Sequence, residues 1–365
     1  MQREILIDTQ EFQERRVAIL EDKVLEEYYI ERADTRRQIG NVYKSRVINV
    51  VSGIQAAFVD IGLEKNGFLH IDDVDASAVD AAEAEDGEER PAPKPRHERQ
   101  ISELLKEGQE LIVQVIKEPL GTKGVRLTTN LSLPGRFLVL LPNDKQVAIS
   151  RRIANPEERK RLRQLVQQAK LPENCGLIVR TAGEGCTDKE FLNDAQYLIN
   201  LWEVIQNNAR TAPVPALLHE ELDLVLRMIR DSFSEDVSQV VINSREEFKR
   251  VGAFVRQLVP GAHKEIRLYE GKVPIFEHWG VQKDIERAFR RKVWLKCGGY
   301  IVIDETEAMI SIDVNSGRHT GSGGLEDTVT RTNLEAADEI ARQLRLRNIG
   351  GLVVIDFIDM RSRQN

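Results

Sequence analysis

The segment that most restricts the fold is Leu352-Val353-Val354-Ile355-Asp356-Phe357-Ile358-Asp359, a nearly unbroken apolar run of strand length. Runs of this kind suit a strand covered on both faces. Upstream, Gly299 to Asp304 and Ala308 to Asn315 read as a hairpin pair. A Gly-rich loop, Gly317 to Gly324, then precedes a helical pattern from Asp327 to Arg347 that stops near Gly350 and Gly351. Strand, helix and apolar strand in this order predict a βαβ unit and a covered sheet.

Residues two apart on a strand share a face. Ser311, Asp313 and Asn315 are therefore expected on one side, with Ile310, Ile312 and Val314 on the other. Asp356 ends an apolar strand, where an unpaired carboxylate is costly to bury. If the two strands are neighbours, Asp313 and Asp356 converge, and paired carboxylates with open water positions are the usual protein contribution to a Mg²⁺ site handling phosphates. The bland alternative, a turn cap and a solvated strand residue, has equal weight on spacing alone.

Earlier in the chain, five short alternating segments between about Gly40 and Thr129 are split by glycines and predict a small barrel. Phe58, Phe68 and His70 lie on its strands, with Lys44, Lys117 and Lys123 along the edges. Aromatic rings and cations on a barrel face suit base stacking and phosphate neutralisation. Spacing alone favours the other reading, in which both phenylalanines fill the barrel core. Arg180-Thr181-Ala182-Gly183 follows a strand and offers an Arg, a hydroxyl and backbone N–H groups to a terminal phosphate. Taken by itself the signal is weak, and an ordinary strand-to-helix loop is the favoured reading of these residues. Helices are expected over Pro156 to Lys170 and Asp188 to Asn208, a linker at Thr211 to Pro215, and two N-terminal strands, Glu4 to Asp8 and Arg16 to Glu21, that join another sheet.

Net charge, −7, at first argues against a nucleic-acid binder. Residues 72–99 hold ten acids and four bases, so the rest of the chain, with 48 bases against 49 acids, is nearly neutral. This acidic, then Pro-rich, segment lacks apolar periodicity and is expected to be a disordered loop interrupting the barrel. Three cysteines without a CxxC pair make a disulfide scaffold or a thiolate zinc site unexpected and a reducing cytoplasm the default. No run has the length and apolarity of a membrane helix.

Several long blocks resemble the ribonuclease E/G family. They are Ile312-Asp313-Val314-Asn315-Ser316-Gly317, the stretch from Asn333 to Arg347, and Gly350 to Met360, supported by Gln55 to Asp60, Ile149 to Ile153 and Val179 to Gly183. The resemblance implies an α/β and α+β multidomain chain: an RNase H-like subdomain (1–39 plus 225–288), an inserted S1 (OB-fold) barrel (40–128), a 5′-sensor region (129–224) and a DNase I-like catalytic subdomain (289–365). It implies a single-strand endoribonuclease of mRNA decay and of rRNA and tRNA processing, leaving 5′-phosphate and 3′-hydroxyl ends. By the same resemblance Asp313 and Asp356 hold Mg²⁺ and Asn315 positions one of them. Phe58, Phe68 and Lys123 grip single-stranded RNA, and Arg180 and Thr181, with the backbone at Val139 and Gly135, form the 5′-monophosphate pocket. A homo-oligomer, dimer or tetramer, joined through a zinc-link, and RNA-decay complex partners are also implied. That link and the region distinguishing the two family branches follow Asp356 in the family pattern, so the chain is expected to be a fragment cut short of both. A non-catalytic RNA-binding protein using the barrel and sensor surfaces is the rival expectation.

Overall fold

A computed structural model describes residues 2–9, 14–32, 37–74, 100–119, 124–233, 237–258, 265–317 and 325–362. Lys123, residues 75–99 of the acidic segment and residues 318–324 of the Gly-rich loop lie outside them. The chain divides into two compact units, one of Met1–Asp34, Phe233–Gly252 and His263–Asn365, the other of Thr35–Ser232 and Ala253–Ala262.

Strands β1 (Arg3–Asp8), β2 (Glu14–Glu21) and β3 (Val24–Arg32) open the chain as an antiparallel meander. The third was not expected. Its two tyrosines and four acids and bases are partly covered or exposed and Leu25 is its one buried residue, so it carries little apolar alternation. Next come β4 (Val42–Val51), β5 (Ala56–Asp60), β6 (Gly67–His70), the helical turn α1 (Ile101–Leu104), β7 (Glu110–Lys117) and β8 (Arg126–Thr128). These five strands form the expected barrel, closed by pairing of β4 with β7 around Ala57, Val59, Leu69, Val113, Val115 and Leu127.

The next region comprises β9 (Leu133–Pro134), β10 (Leu138–Leu141), β11 (Val147–Ile149), α2 (Pro156–Gln168), β12 (Gly176–Val179) and α3 (Asp188–Thr211). Asn155 caps α2 and a Thr187–Glu190 capping box starts α3, as their sequences suit. The helices pack Leu162, Leu165, Phe191, Leu198 and Trp202 against the sheet β11-β12-β10-β9. The expected linker at Thr211 to Pro215 is shorter than anticipated: α3 runs through Thr211, and β13 (Ala216–His219) joins β4.

After α4 (Leu224–Ser232), strands β14 (Val237–Ile242) and β15 (Glu265–Leu268) flank α5 (Arg245–Leu258). β1 runs parallel to β14, giving the order β15-β14-β1-β2-β3 and placing the N-terminal strands in a shared sheet, as expected. Two short helices, α6 (Ile275–His278) and α7 (Gln282–Ala288), lead to β16 (Lys292–Trp294), β17 (Tyr300–Glu305) and β18 (Ile310–Asn315). Helix α8 (Leu325–Leu346) then crosses to β19 (Val353–Asp356), parallel to β18. Ala336 and Ile340 of α8 cover Ile301, Ile303, Ile312 and Val314, so one face of this sheet is core.

One expectation fails here. Among the described residues β19 is the last strand of the order β16-β17-β18-β19, with a neighbour on one side only, and Val354, Ile355 and Phe357 are exposed. The apolar run is an edge strand, not a covered one. Asp356 is accordingly exposed too, and the cost of burying it does not arise. The three cysteines are free and buried. Among the described residues no helix is long and apolar enough to cross a membrane.

Candidate functional site

The β18–β19 ladder pairs Asp313 directly with Asp356. Paired residues of parallel strands point to one face, about 4.8 Å apart across the ladder. Ile312 and Val314 are buried beneath while Ser311 and Asp313 are exposed, so the carboxylates stand together on the open face, as the i, i+2 pattern predicts. Asn315 lies on that face and its Nδ2 donates to Asp313 Oδ2 at 2.7 Å. That bond fixes one carboxylate oxygen and leaves the other for a ligand.

Two devices hold this register. Asn333 on α8 donates from Nδ2 to the Ile358 carbonyl at 2.8 Å and accepts from the Ile358 N–H at 3.1 Å, pinning the chain just beyond Asp356. Glycines close the other end. Gly317 has φ +65°, and a Cβ there would sit 2.4 Å from the Gly298 carbonyl; one on Gly299 would meet the Asn315 carbonyl at 2.8 Å. Behind the sheet, Glu335 of α8 accepts from the Cys297 N–H at 2.7 Å. Burial opposes its charge, but that N–H and Arg331 hold the carboxyl below its ordinary value.

The donor set fits a hard, water-rich cation. Two exposed carboxylates in register leave most coordination positions to water and phosphate oxygens, as Mg²⁺ prefers. Among the described residues no group of three His, Cys, Asp or Glu side chains gathers to cage a metal.

On the barrel, Phe58 pairs with Phe68 across β5 and β6, with ring centroids 6.0 Å apart in an edge arrangement. Phe68 stacks on His70 at 6.5 Å. Phe58 is 36% exposed and Phe68 partly exposed, so the core reading is corrected: Ala57, Val59 and Leu69 fill the interior. Both neighbours of Phe58, Ala57 and Val59, are apolar enough to face inward, which spacing alone could not rank. Lys44 is engaged with Glu110 and the Ala212 carbonyl, whereas Arg126, paired with Phe68 and bonded to Asp73, adds a cation beside the rings.

After β12, Arg180 Nη1 reaches the carbonyls of Gly135 at 2.5 Å and Arg136 at 3.2 Å, and Asp231 Oδ1 at 3.0 Å. Thr181 Oγ1 lies 2.9 Å from Ser150 Oγ. Val139 sits on the same ladder, opposite Ile178, two residues along from Phe137, whose carbonyl accepts the Arg180 N–H. The Gly135 N–H is occupied by the Leu138 carbonyl, so Gly135 takes part through its own carbonyl. Asp231 and Ser150 were missed because nothing local ties them to Arg180; Asp231 is 51 residues away. The loop after Thr181 is anchored by Glu158 and Arg161, bonded at 2.7 and 2.8 Å. The guanidinium pulls the Glu158 carboxyl down to about 2, and Glu158 also accepts the Gly185 N–H.

A five-stranded barrel with partly exposed rings and an α/β sheet that aligns two carboxylates suit the class of RNA-processing nucleases. The comparisons agree. The S1 RNA binding domain model matches residues 36–130, and the ribonuclease E/G family model matches 132–365. The chain is 43% identical over 352 residues to ribonuclease G of Escherichia coli (strain K12), covering 96% of this chain and 70% of that one. It is 42% identical over 357 residues to ribonuclease E of Haemophilus influenzae, covering 98% of this chain and 37% of the relative, and 40% identical to ribonuclease E of Escherichia coli. The chain belongs to the ribonuclease E/G family, and as a member it is an RNA-binding endoribonuclease of RNA processing and decay.

Proposed function

We propose that the endoribonuclease acts on single-stranded RNA, uses Mg²⁺ held by Asp313 and Asp356, leaves 5′-phosphate and 3′-hydroxyl ends, and is stimulated by a 5′-monophosphate. The observation that carries this reading is the parallel register of Asp313 with Asp356 on an exposed sheet face, with Asn315 bonded to the first. A Mg²⁺ ion there would polarise the scissile phosphate and lower the pKa of a water. Asp313 and Asp356 hold their charge toward the phosphate, and Asn315 keeps the Asp313 carboxylate in one orientation. Phe58 and Phe68 stack unpaired bases, which a duplex would hide, and so select single strands. Homo-oligomeric assembly and partners in RNA decay, which rest on the family resemblance, and a cytoplasmic setting, which rests on the sparse unpaired cysteines, complete the reading.

With 5′-labelled single-stranded RNA, Mg²⁺ supports discrete cleavage and a chelator removes it. Cleavage that survives chelation overturns the metal assignment, and RNA binding without cleavage in Mg²⁺ favours the non-catalytic alternative. For the sensor, Arg180→Gln removes a guanidinium held by the Gly135 and Arg136 carbonyls and Asp231. Charge-assisted bonds of this kind contribute about 1.5–3 kcal/mol, so the rate advantage of 5′-monophosphorylated over 5′-hydroxyl RNA falls by roughly tenfold or more. A rate ratio equal to that of the parent removes the sensor role.

A further inference from the structure

The face that carries the carboxylates holds a second cluster. Trp294 pairs with Tyr300 and Tyr300 with Asn315, while Lys292 pairs with Val302 and Val302 with Asp313. Directly paired residues share a face, so Lys292, Trp294 and Tyr300 stand on the same side as Asp313 and Asn315. Burial agrees, since the alternate residues Val293 and Ile301 are in the core. The Lys292 ammonium lies 3.4 Å from the Tyr300 ring centroid and 4.2 Å from that of Trp294. The two rings are 5.3 Å apart at 61°.

This cluster does little for the fold. Trp294 is 63% exposed and Lys292 is exposed beside it. What it presents is a largely exposed indole, a second ring and an ammonium that lies over both by attraction to their π systems. That combination takes a nucleobase by stacking and the adjoining phosphate by charge. Next to two carboxylates a cation also offsets repulsion of a polyanion, and the further acid on this face, Asp304, is bonded to Arg291 at 2.7 Å. β16 and β18 are two strand spacings apart, about 9.5 Å, so the sugar and base of a nucleotide flanking a phosphate held at Asp313 extend toward Trp294.

We propose that Lys292, Trp294 and Tyr300 form a stacking subsite for the nucleotide next to the scissile phosphate, and so help determine which bond of a single strand is cut. The proposal rests on the assignment of the cleavage site to Asp313 and Asp356. Trp294 and Tyr300 receive the base, and Lys292 meets its phosphate.

The test is a set of single-stranded RNA oligonucleotides of one sequence, each with a single abasic residue near the cleaved bond, cleaved in Mg²⁺ by the parent chain, Trp294→Ala, Trp294→Phe and Asp313→Asn. In the parent, loss of the base at one flanking position lowers kcat/KM about tenfold, as one stacked base predicts. Trp294→Ala slows the intact RNA by a similar factor and becomes insensitive to the lesion at that position alone, while Trp294→Phe retains the sensitivity. Tyr300→Leu gives a second, independent loss at the same position. Unchanged kcat/KM and an unchanged abasic profile in Trp294→Ala overturn the subsite, and an altered oligomeric state with that unchanged profile does so in favour of a protein contact. Cleavage retained by Asp313→Asn overturns the underlying assignment instead, so the two failures are distinguishable.

Discussion

Asp313→Asn abolishes RNA cleavage in Mg²⁺ and leaves RNA affinity within about twofold of the parent. The substitution preserves shape and removes one of two negative charges that meet across the β18–β19 ladder. It also turns an acceptor into an amide whose NH₂ can face the Asn315 NH₂, so the bond now at 2.7 Å is lost or reoriented. Metal stabilisation of transition-state charge supplies several kcal/mol. At 1.36 kcal/mol per tenfold, a loss of that size lowers the rate by about a thousandfold. Folding is not at risk, because Asp313 is exposed and its removal leaves no buried group unpaired. Affinity is carried by other residues, the rings of Phe58 and Phe68 among them, and one fewer carboxylate opposes a polyanion less. Initial rates on 5′-labelled RNA, with anisotropy for binding, decide the matter. Parent-like cleavage by Asp313→Asn sinks the assignment, and a parallel collapse of binding shows that Asp313 does something other than hold the metal.

Alternation along β18 was enough to place Ser311, Asp313 and Asn315 on one face, because a strand has a strict period of two and Ile312 and Val314 had to point inward. Which strand lies beside β18, and in what register, is a long-range choice set by packing of α8 and by the Asn333 bonds to Ile358. No local pattern encodes it, and so the pairing of Asp313 with Asp356 stayed conditional. The apolar run of β19 was misjudged for a related reason. Composition reports the tendency to be buried, not whether a covering layer is present, and this strand sits at an edge.

In the barrel the difficulty was degeneracy. Ala56, Ala57, Phe58 and Val59 are all apolar, so either set of alternate residues could face inward; the smaller ones do, and the rings remain outside. Trp294 was invisible for want of length, since β16 has three residues and shows no period. Resemblance to a family pointed to Arg180 and Thr181 and to the block Ile149 to Ile153 that holds Ser150, but it assigned Ser150 no contact, and Asp231 and Asp194 act across long separations and carry no motif.

Asp194→Ala is expected to cost considerable stability and to remove the proposed 5′-monophosphate advantage. Asp194 lies on α3, is nearly inaccessible, and accepts the backbone N–H groups of Arg136, Phe137 and Leu138 at 3.0, 2.8 and 3.0 Å. Burial pushes its carboxyl above the ordinary carboxylate range, and the three N–H groups work against that rise. Gly135 is small for this reason, because a Cβ would lie 2.6 Å from Asp194 Oδ1. The turn so held presents the Gly135 and Arg136 carbonyls that receive Arg180. An alanine leaves three buried donors without an acceptor at about 1–3 kcal/mol each. Partial relaxation brings the total to roughly 3–5 kcal/mol, or about a 10 °C fall in Tm for a unit of this size. Asp194→Asn keeps one acceptor oxygen and falls between the two. With the turn loosened, Arg180 loses its fixed position, so the advantage of 5′-monophosphorylated RNA disappears while cleavage of 5′-hydroxyl RNA persists, since Asp313 and Asp356 are untouched. Calorimetry and paired rates on the two RNAs test both halves. A normal Tm means that the three N–H groups find other partners, and a lowered Tm with an undiminished 5′-monophosphate advantage means that the turn does not position Arg180.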